Sequence, residues 1–238
     1  MFLKKLLKPD CSGFFCTAVV AAAGSSTRMG TNKLLLELGG MPILARTLCN
    51  LQACEDIHEI IIVCRSEDIV VYSDIAAAYG ITKLTKVVKG GADRAASVEA
   101  GLMEANKSAT HAAIHDAARP LATPALMSRV IKLAAHGGAA IPVVPVKDTI
   151  KYVENGIITQ TPDRSLLYAA QTPQVFDIHL LKGALQKARD DGRVVTDDAS
   201  AVEAMGTPVY TCHGDYDNLK ITTPEDIAVG EAILARID

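Results

Sequence analysis

The sequence predicts an α/β fold in three layers: a mostly parallel sheet covered by helices on both faces, with a β-hairpin arm projecting from it. Three observations carry this. Apolar runs of strand length alternate with longer stretches of helical period, the pattern of a parallel sheet with crossover helices. A polar hairpin signal interrupts the alternation between residues 146 and 162. The chain has 238 residues, 49% of them hydrophobic, which suffices for the core of one large domain.

Taken in order, strands are expected near 14–22, 58–64, 84–88, 111–115, 139–144, 166–176 and 208–212, with a weaker one at 218–222. Helices are expected near 42–54, 66–79, 94–106, 124–136, 178–190, 197–205 and 224–236. Two helix starts carry capping chemistry. Thr196 precedes Asp197 and Asp198, and Thr223 precedes Pro224, Glu225 and Asp226, which places a cap oxygen and acidic residues at the positive helix end. The interrupting segment, VKDTIKYVENGIITQTP, reads as two short strands around a turn at Glu154, Asn155 and Gly156. With so much polar surface, this arm at about 147–162 is either a solvent flap or a contact element for a partner subunit or substrate.

Residues 14–238 are read as one domain and 1–13 as an N-terminal extension. The alternating Leu and Lys of Met1 to Lys8 do not make a secretory signal, because Pro9, Asp10 and Ser12 interrupt the apolar stretch that one needs. The run from Phe14 to Ala23 is too short to span a bilayer as a helix. A net charge of -3 without any block of like charge argues against general binding to nucleic acid or anionic membrane. Six cysteines without a CxxC pair, and six histidines without HExxH, indicate neither a zinc cage nor a disulfide framework. A reduced compartment, the cytoplasm, is the expectation.

The first strand ends in AAAGSSTRMGTNK, residues 21–33. Small side chains there let backbone N–H groups approach an anion closely, while Arg28 and Lys33 bring positive charge. Ligands of open α/β sheets bind beyond the carboxyl ends of the strands, which is where this loop falls. It is not a dinucleotide fingerprint, since only Gly24 and Gly30 are glycines, and it is not a P-loop, since Thr31 and Asn32 follow Gly30. A plain turn with two solvated basic residues is the alternative.

The loop resembles the AAGxxxRM…K signature of the nucleotidyltransferase superfamily. The resemblance implies a Rossmann-like fold, a triphosphate wrapped by the loop with Ala22, Ala23 and Gly24 at the nucleotide, and neutralisation of the leaving pyrophosphate by Arg28 and Lys33. With KLLLELGGMPIL after it, the stretch is also similar to molybdopterin cytidylyltransferases. GGADRAASVEAGL (90–102), HDAARPL (115–121), DRSLLYAAQTPQVF (163–176), TDDASAVEAMG (196–206) and DNLKITTPEDI (217–227) resemble the 2-C-methyl-D-erythritol 4-phosphate cytidylyltransferase family, in order and spacing, over roughly 14–236.

That resemblance implies transfer of CMP from CTP to 2-C-methyl-D-erythritol 4-phosphate in the non-mevalonate isoprenoid pathway, with Mg²⁺, in a homodimer that exchanges arms. It implies cytosine recognition by Gly91 and Ser97, with Ala117 also at the nucleotide. Ala92 and Ala96 depart from residues common in the family, changes that backbone readout tolerates. Asp116 is implied in metal and ribose contacts, and Asp217 is the second metal candidate. Asp116 with Arg119 is also readable as a structural ion pair, or Arg119 as a contact of the acceptor phosphate. The acceptor side is assigned to Arg119, Thr149, Arg164, Thr172, Thr196 and Lys220, and the catalytic set to Arg28, Lys33, Asp116 and Lys220. Thr196 is equally readable as a helix cap. Ribitol-5-phosphate cytidylyltransferase and a catalytically silent nucleotide-binding protein are the rival readings. HDAARPL in place of a DSVRP-like form favours methylerythritol phosphate.

Overall fold

Runs of Val, Ile and Ala buried on both faces make the central strands, as expected of a parallel sheet sandwiched between helices. The computed structural model describes residues 13–24 and 32–237. The elements in chain order are β1 (Cys16–Ala21), a small hairpin of β2 (Glu37–Leu38) and β3 (Met41–Pro42), α1 (Ile43–Ala53), β4 (Glu59–Cys64), α2 (Ile69–Ala78), β5 (Leu84–Lys89), α3 (Arg94–Glu104), β6 (His111–Asp116), α4 (Pro124–Gly137) and β7 (Ala139–Pro145). They continue with β8 (Tyr152–Glu154), β9 (Ile157–Gln160), β10 (Tyr168–Ala170), β11 (Gln174–Asp177), α5 (Ile178–Asp190), α6 (Asp198–Glu203), β12 (Tyr210–His213) and α7 (Pro224–Ile237).

One sheet contains the order β7–β11–β6–β1–β4–β5. β1 pairs in parallel with β4 and β6, β4 with β5, and β12 with β7. β11 runs antiparallel between β6 and β7, and β10 runs antiparallel to β7. The period of two along each strand separates two cores. Ala18, Val20, Ile60 and Ile62 face Leu44 and Leu48 of α1, Tyr72 of α2 and Val130 of α4. Val19, Ile61, Val63 and Ile114 face Val98 and Leu102 of α3, Leu181 of α5 and Val202 of α6. Each fully buried Val, Leu or Ile contributes about 1.5–3 kcal/mol to this arrangement.

Three sequence expectations are corrected. The strand expected at 166–176 is two strands: the Gln171 N–H, bonded to Pro142 O at 2.9 Å, still continues the pairing of β10 with β7, but Pro173 has no N–H for the ladder, and β11 resumes against β7 in a shifted register. The expected strand at 218–222 is irregular: Asp215 accepts the Asp217 and Asn218 N–H groups and Asp217 O that of Leu219, which closes the chain into turns. The cap of α6 is Asp197, in a reciprocal pair with Ser200, and Thr196 lies outside it. The hairpin expectation is met: β8 and β9 pair around Asn155 (φ 52°) and Gly156 (φ 80°), and every residue of both strands is exposed. Among the described residues, no helix is long and apolar enough to cross a membrane.

Candidate active site

The strand order reverses at β1. The chain proceeds from β1 through β4 to β5 on one side, then returns to place β6 on the other. Because these four strands are parallel, their carboxyl ends open along one edge, and the switch point between β1 and β6 is where such sheets take ligands. A cavity of about 420 Å³ lies there. It is lined by Ala22, Ala23 and Gly24 after β1, Gly91 and Ser97 around the start of α3, Asp116 at the end of β6, and Lys33 and Lys220. Eight of the residues singled out in the sequence thus converge on one space. Arg28 lies outside the described residues, as do residues 1–12 of the N-terminal extension.

The glycines after β5 are required by close approach. A Cβ on Gly90 would meet Ser97 Oγ at 2.8 Å and Ala23 Cβ at 3.0 Å, and one on Gly91 would collide with Ala96. Ser97 Oγ donates to Asp93 O at 2.7 Å and accepts from the Gly91 N–H at 3.2 Å. Its hydroxyl therefore shapes the glycine loop. Asp93 caps α3 by accepting from the Ala96 N–H at 2.8 Å.

Asp116 is the centre of charge. Lys220 Nζ stands 3.0 Å and Arg119 Nε 3.4 Å from its Oδ2, and Arg94 Nη2 stands 3.8 Å from its Oδ1. Burial opposes the carboxylate charge, but Lys220, Arg119 and Arg94 outweigh it and hold the pKa down at about 2. The neighbouring His115 is enclosed, and burial lowers its pKa to about 4, so it is neutral at pH 7. Thr172 Oγ1 accepts the Asp116 N–H at 3.1 Å and lies 3.0 Å from His115 Nδ1.

The segment after β12 is stitched to this centre by backbone bonds. Ile221 N–H donates to Ala118 O at 2.8 Å, and Lys33 Nζ donates to Ile221 O at 2.8 Å. Arg119 Nη1 donates to Asn218 O at 2.7 Å, so the half of Arg119 not facing Asp116 braces the Lys220 loop. Lys33 itself opens a turn of 3-10 helix whose cap, Asn32, also bonds Asp68 and Tyr72.

The other predicted residues lie away from the cavity wall. Ala117 is buried behind it and gives its carbonyl to Thr47 Oγ1. Thr172 is 5% exposed, with its hydroxyl turned to the interior. Thr149 and Thr196 are exposed, and Arg164 donates to Lys147 O at 2.7 Å beside the hairpin. Asp217 pairs with Arg236 and is not at a strand end. Sequence reasoning missed Arg94, which lines the cavity and is bound to the fully buried Asp198. The DR of GGADRAAS and the second Asp of TDDAS were the available signals; nothing local joins them.

The donor set fits a hard divalent cation. Such an ion is commonly held by one or two carboxylates together with substrate phosphates, and Oδ1 of Asp116 has no hydrogen bond to Arg94 at 3.8 Å. Among the described residues, no group of three His, Cys, Asp or Glu side chains forms a cage.

Fold and cavity together define an α/β nucleotidyltransferase-type protein, with glycine-lined backbone, Lys33 and Lys220 on the wall of one cavity, and an ionised Asp116 held by Lys220 within it. The family model described as IspD, 2-C-methyl-D-erythritol 4-phosphate cytidylyltransferase, matches residues 16–236. A relative of that name from Alkaliphilus metalliredigens is 44% identical over 222 residues, 92% of each chain. Another from Halalkalibacterium halodurans is 43% identical over 221 residues, 92% of this chain and 96% of the relative. A solved structure of 4-diphosphocytidyl-2C-methyl-D-erythritol synthase from Anaerococcus prevotii superposes with a TM-score of 0.84 at 33% identity, covering 94% of this chain and 97% of that one. The chain belongs to the 2-C-methyl-D-erythritol 4-phosphate cytidylyltransferase family.

Proposed function

We propose that this chain transfers CMP from CTP to 2-C-methyl-D-erythritol 4-phosphate, releasing pyrophosphate, in the non-mevalonate route to isoprenoids. The observation that carries the reading is the convergence of Lys33, Gly91, Ser97, Asp116 and Lys220 on one cavity in a chain of this family. An acceptor phosphate oxygen attacks the α-phosphorus, and the bond to the bridging oxygen of pyrophosphate breaks. The phosphate is already anionic, so the attack requires no general base. Catalysis is positioning together with stabilisation of charge as it builds.

Gly91 and its neighbours offer backbone groups to the cytosine edge, and Ala22, Ala23 and Gly24 let the triphosphate approach the backbone closely. Lys33 and Arg28 take the leaving pyrophosphate, and Lys220 takes the acceptor phosphate. Asp116, ionised far below neutral pH, holds Lys220 and is the carboxylate for Mg²⁺. Bound there, the metal would neutralise triphosphate charge. Thr149, in the exposed arm at 147–162, and Arg164, exposed just after it, belong on this reading to the partner's site in a homodimer, and the enzyme is cytoplasmic.

The test is pyrophosphate release from CTP with each acceptor. Release with 2-C-methyl-D-erythritol 4-phosphate far above that with ribitol 5-phosphate is expected. Equal release with ribitol 5-phosphate would reject the acceptor, and no release with either would leave the silent nucleotide-binding reading.

A further inference from the structure

Two carboxylates compete for one arginine at the wall of the cavity. Arg94 Nη1 donates to Asp198 Oδ2 at 2.6 Å, whereas Nη2 stays 3.8 Å from Asp116 Oδ1, beyond hydrogen-bonding range. Lys220 and Arg119 lie on the other oxygen of Asp116, so the two faces of that carboxylate differ. Oδ2 is engaged by cations, and Oδ1 is kept clear of a close one.

Asp198 is placed to keep it so. It is fully buried at the start of α6, and its neighbours on both sides are pinned by one side chain: Gln174 Nε2 donates to Asp197 Oδ2 at 2.7 Å, and Gln174 Oε1 accepts from the Ala199 N–H at 3.0 Å. Asp198 therefore stays put rather than following Arg94 toward the cavity. Its Oδ1 has no hydrogen-bond partner, so Arg94 is its counter-charge. Burial raises the proton affinity of this carboxyl, and Arg94 opposes that rise. At the other end, Arg94 is the first residue of α3, just after the Asp93 cap.

We infer that Asp198 tethers the Arg94 guanidinium away from Asp116 and so leaves Oδ1 of Asp116 open to a divalent cation. Arg94 and Asp198 are then positioning residues for metal-dependent nucleotide binding. The inference rests on the proposed reading of Asp116 as the metal carboxylate. Released from Asp198, Arg94 has Asp116 as its nearest anion. Moving in by about 1 Å would occupy Oδ1 and put a full positive charge beside the metal position, an effect of about tenfold on affinity in a partly buried site.

The experiment is calorimetric titration of CTP into the full chain, without acceptor, in Mg²⁺ and again in EDTA. The ratio of the two dissociation constants measures what the metal adds. Asp198→Asn should lower that ratio about tenfold relative to the unmodified protein, and adding Arg94→Gln to Asp198→Asn should restore it. A merely structural ion pair predicts instead that the double variant is no better than the single one, which would overturn the tether, as would an unchanged ratio in Asp198→Asn. If Asp198→Asn does not fold, the double variant, with its neutral amide pair, decides alone: a ratio like that of the unmodified protein supports the tether and a tenfold fall overturns it. A ratio of one in the unmodified protein would reject the metal reading and the tether with it. A ratio above one that ignores Asp198→Asn rejects the tether only.

Discussion

Gly101→Ala is expected to destabilise the protein and to weaken CTP binding, whereas Gly183→Ala, the same change in another helix, is expected to stabilise it. Gly101 lies where α3 crosses β1 and β4. A Cβ there would stand 2.5 Å from Val19 Cγ1 and 2.8 Å from Val63 Cγ2. Ordinary carbon contacts are about 3.5–4.0 Å, so both fall short by roughly 1 Å. The two valines are buried and β-branched on central strands, which leaves α3 to lift. Overpacking of this kind costs about 3 kcal/mol at its upper end, and the helical preference for Ala over Gly returns about 0.9 kcal/mol. The net loss is about 2 kcal/mol, or roughly 4–8 °C in Tm for a chain of this size. Gly183, exposed on α5, has nothing within 4 Å of its Cβ position and should gain about 0.5–1 kcal/mol. Since the chain has no Trp, urea unfolding is best followed by circular dichroism of the helices. Lifting α3 also displaces Ser97 and Arg94, so KM for CTP should rise several-fold in Gly101→Ala. Equal stability of the two variants would refute the packing argument.

Asp116→Asn should cost about 2 kcal/mol of stability at pH 7, from a carboxyl held at about 2 against an ordinary value of 3.8. The folded pKa is depressed, so this contribution is present above about pH 4 and lost as pH falls toward 2; a gap between variant and parent that is independent of pH would contradict it. Lys33→Ala should cut turnover far more than it lowers Tm, and parallel losses would mark a structural role instead. CTP should be turned over much faster than UTP, ATP or GTP, because a wrong base leaves polar groups of the Gly90–Ser97 loop unpaired; equal rates with UTP would refute that loop as the base reader. Refolding Lys33→Ala together with Arg164→Ala should recover roughly a quarter of the sites if the arms cross a two-fold dimer. Hybrids shown to be present but inactive would place Arg164 in its own chain's site.

Much of this molecule was readable from local chemistry. The alternation of strand and helix periods located the central strands of the sheet, and Asn155–Gly156 announced the hairpin because both positions need a left-handed backbone. The small residues of 22–24, Gly91 and Asp116 pointed to the cavity because ligands of such sheets bind beyond strand ends. Those signals act over a few residues along the chain. Local chemistry gave no warning that β11 would insert antiparallel between β6 and β7, or that Asp197 rather than Thr196 would cap α6. Nor could spacing reveal that Lys33 reaches Ile221 O, or that Arg94 and Asp198, 104 residues apart, hold one another beside Asp116. A helix or turn is decided by its own residues, but a charged side chain takes its partner from whichever loops the sheet order brings to the same edge, and that order exists only once the strands have paired.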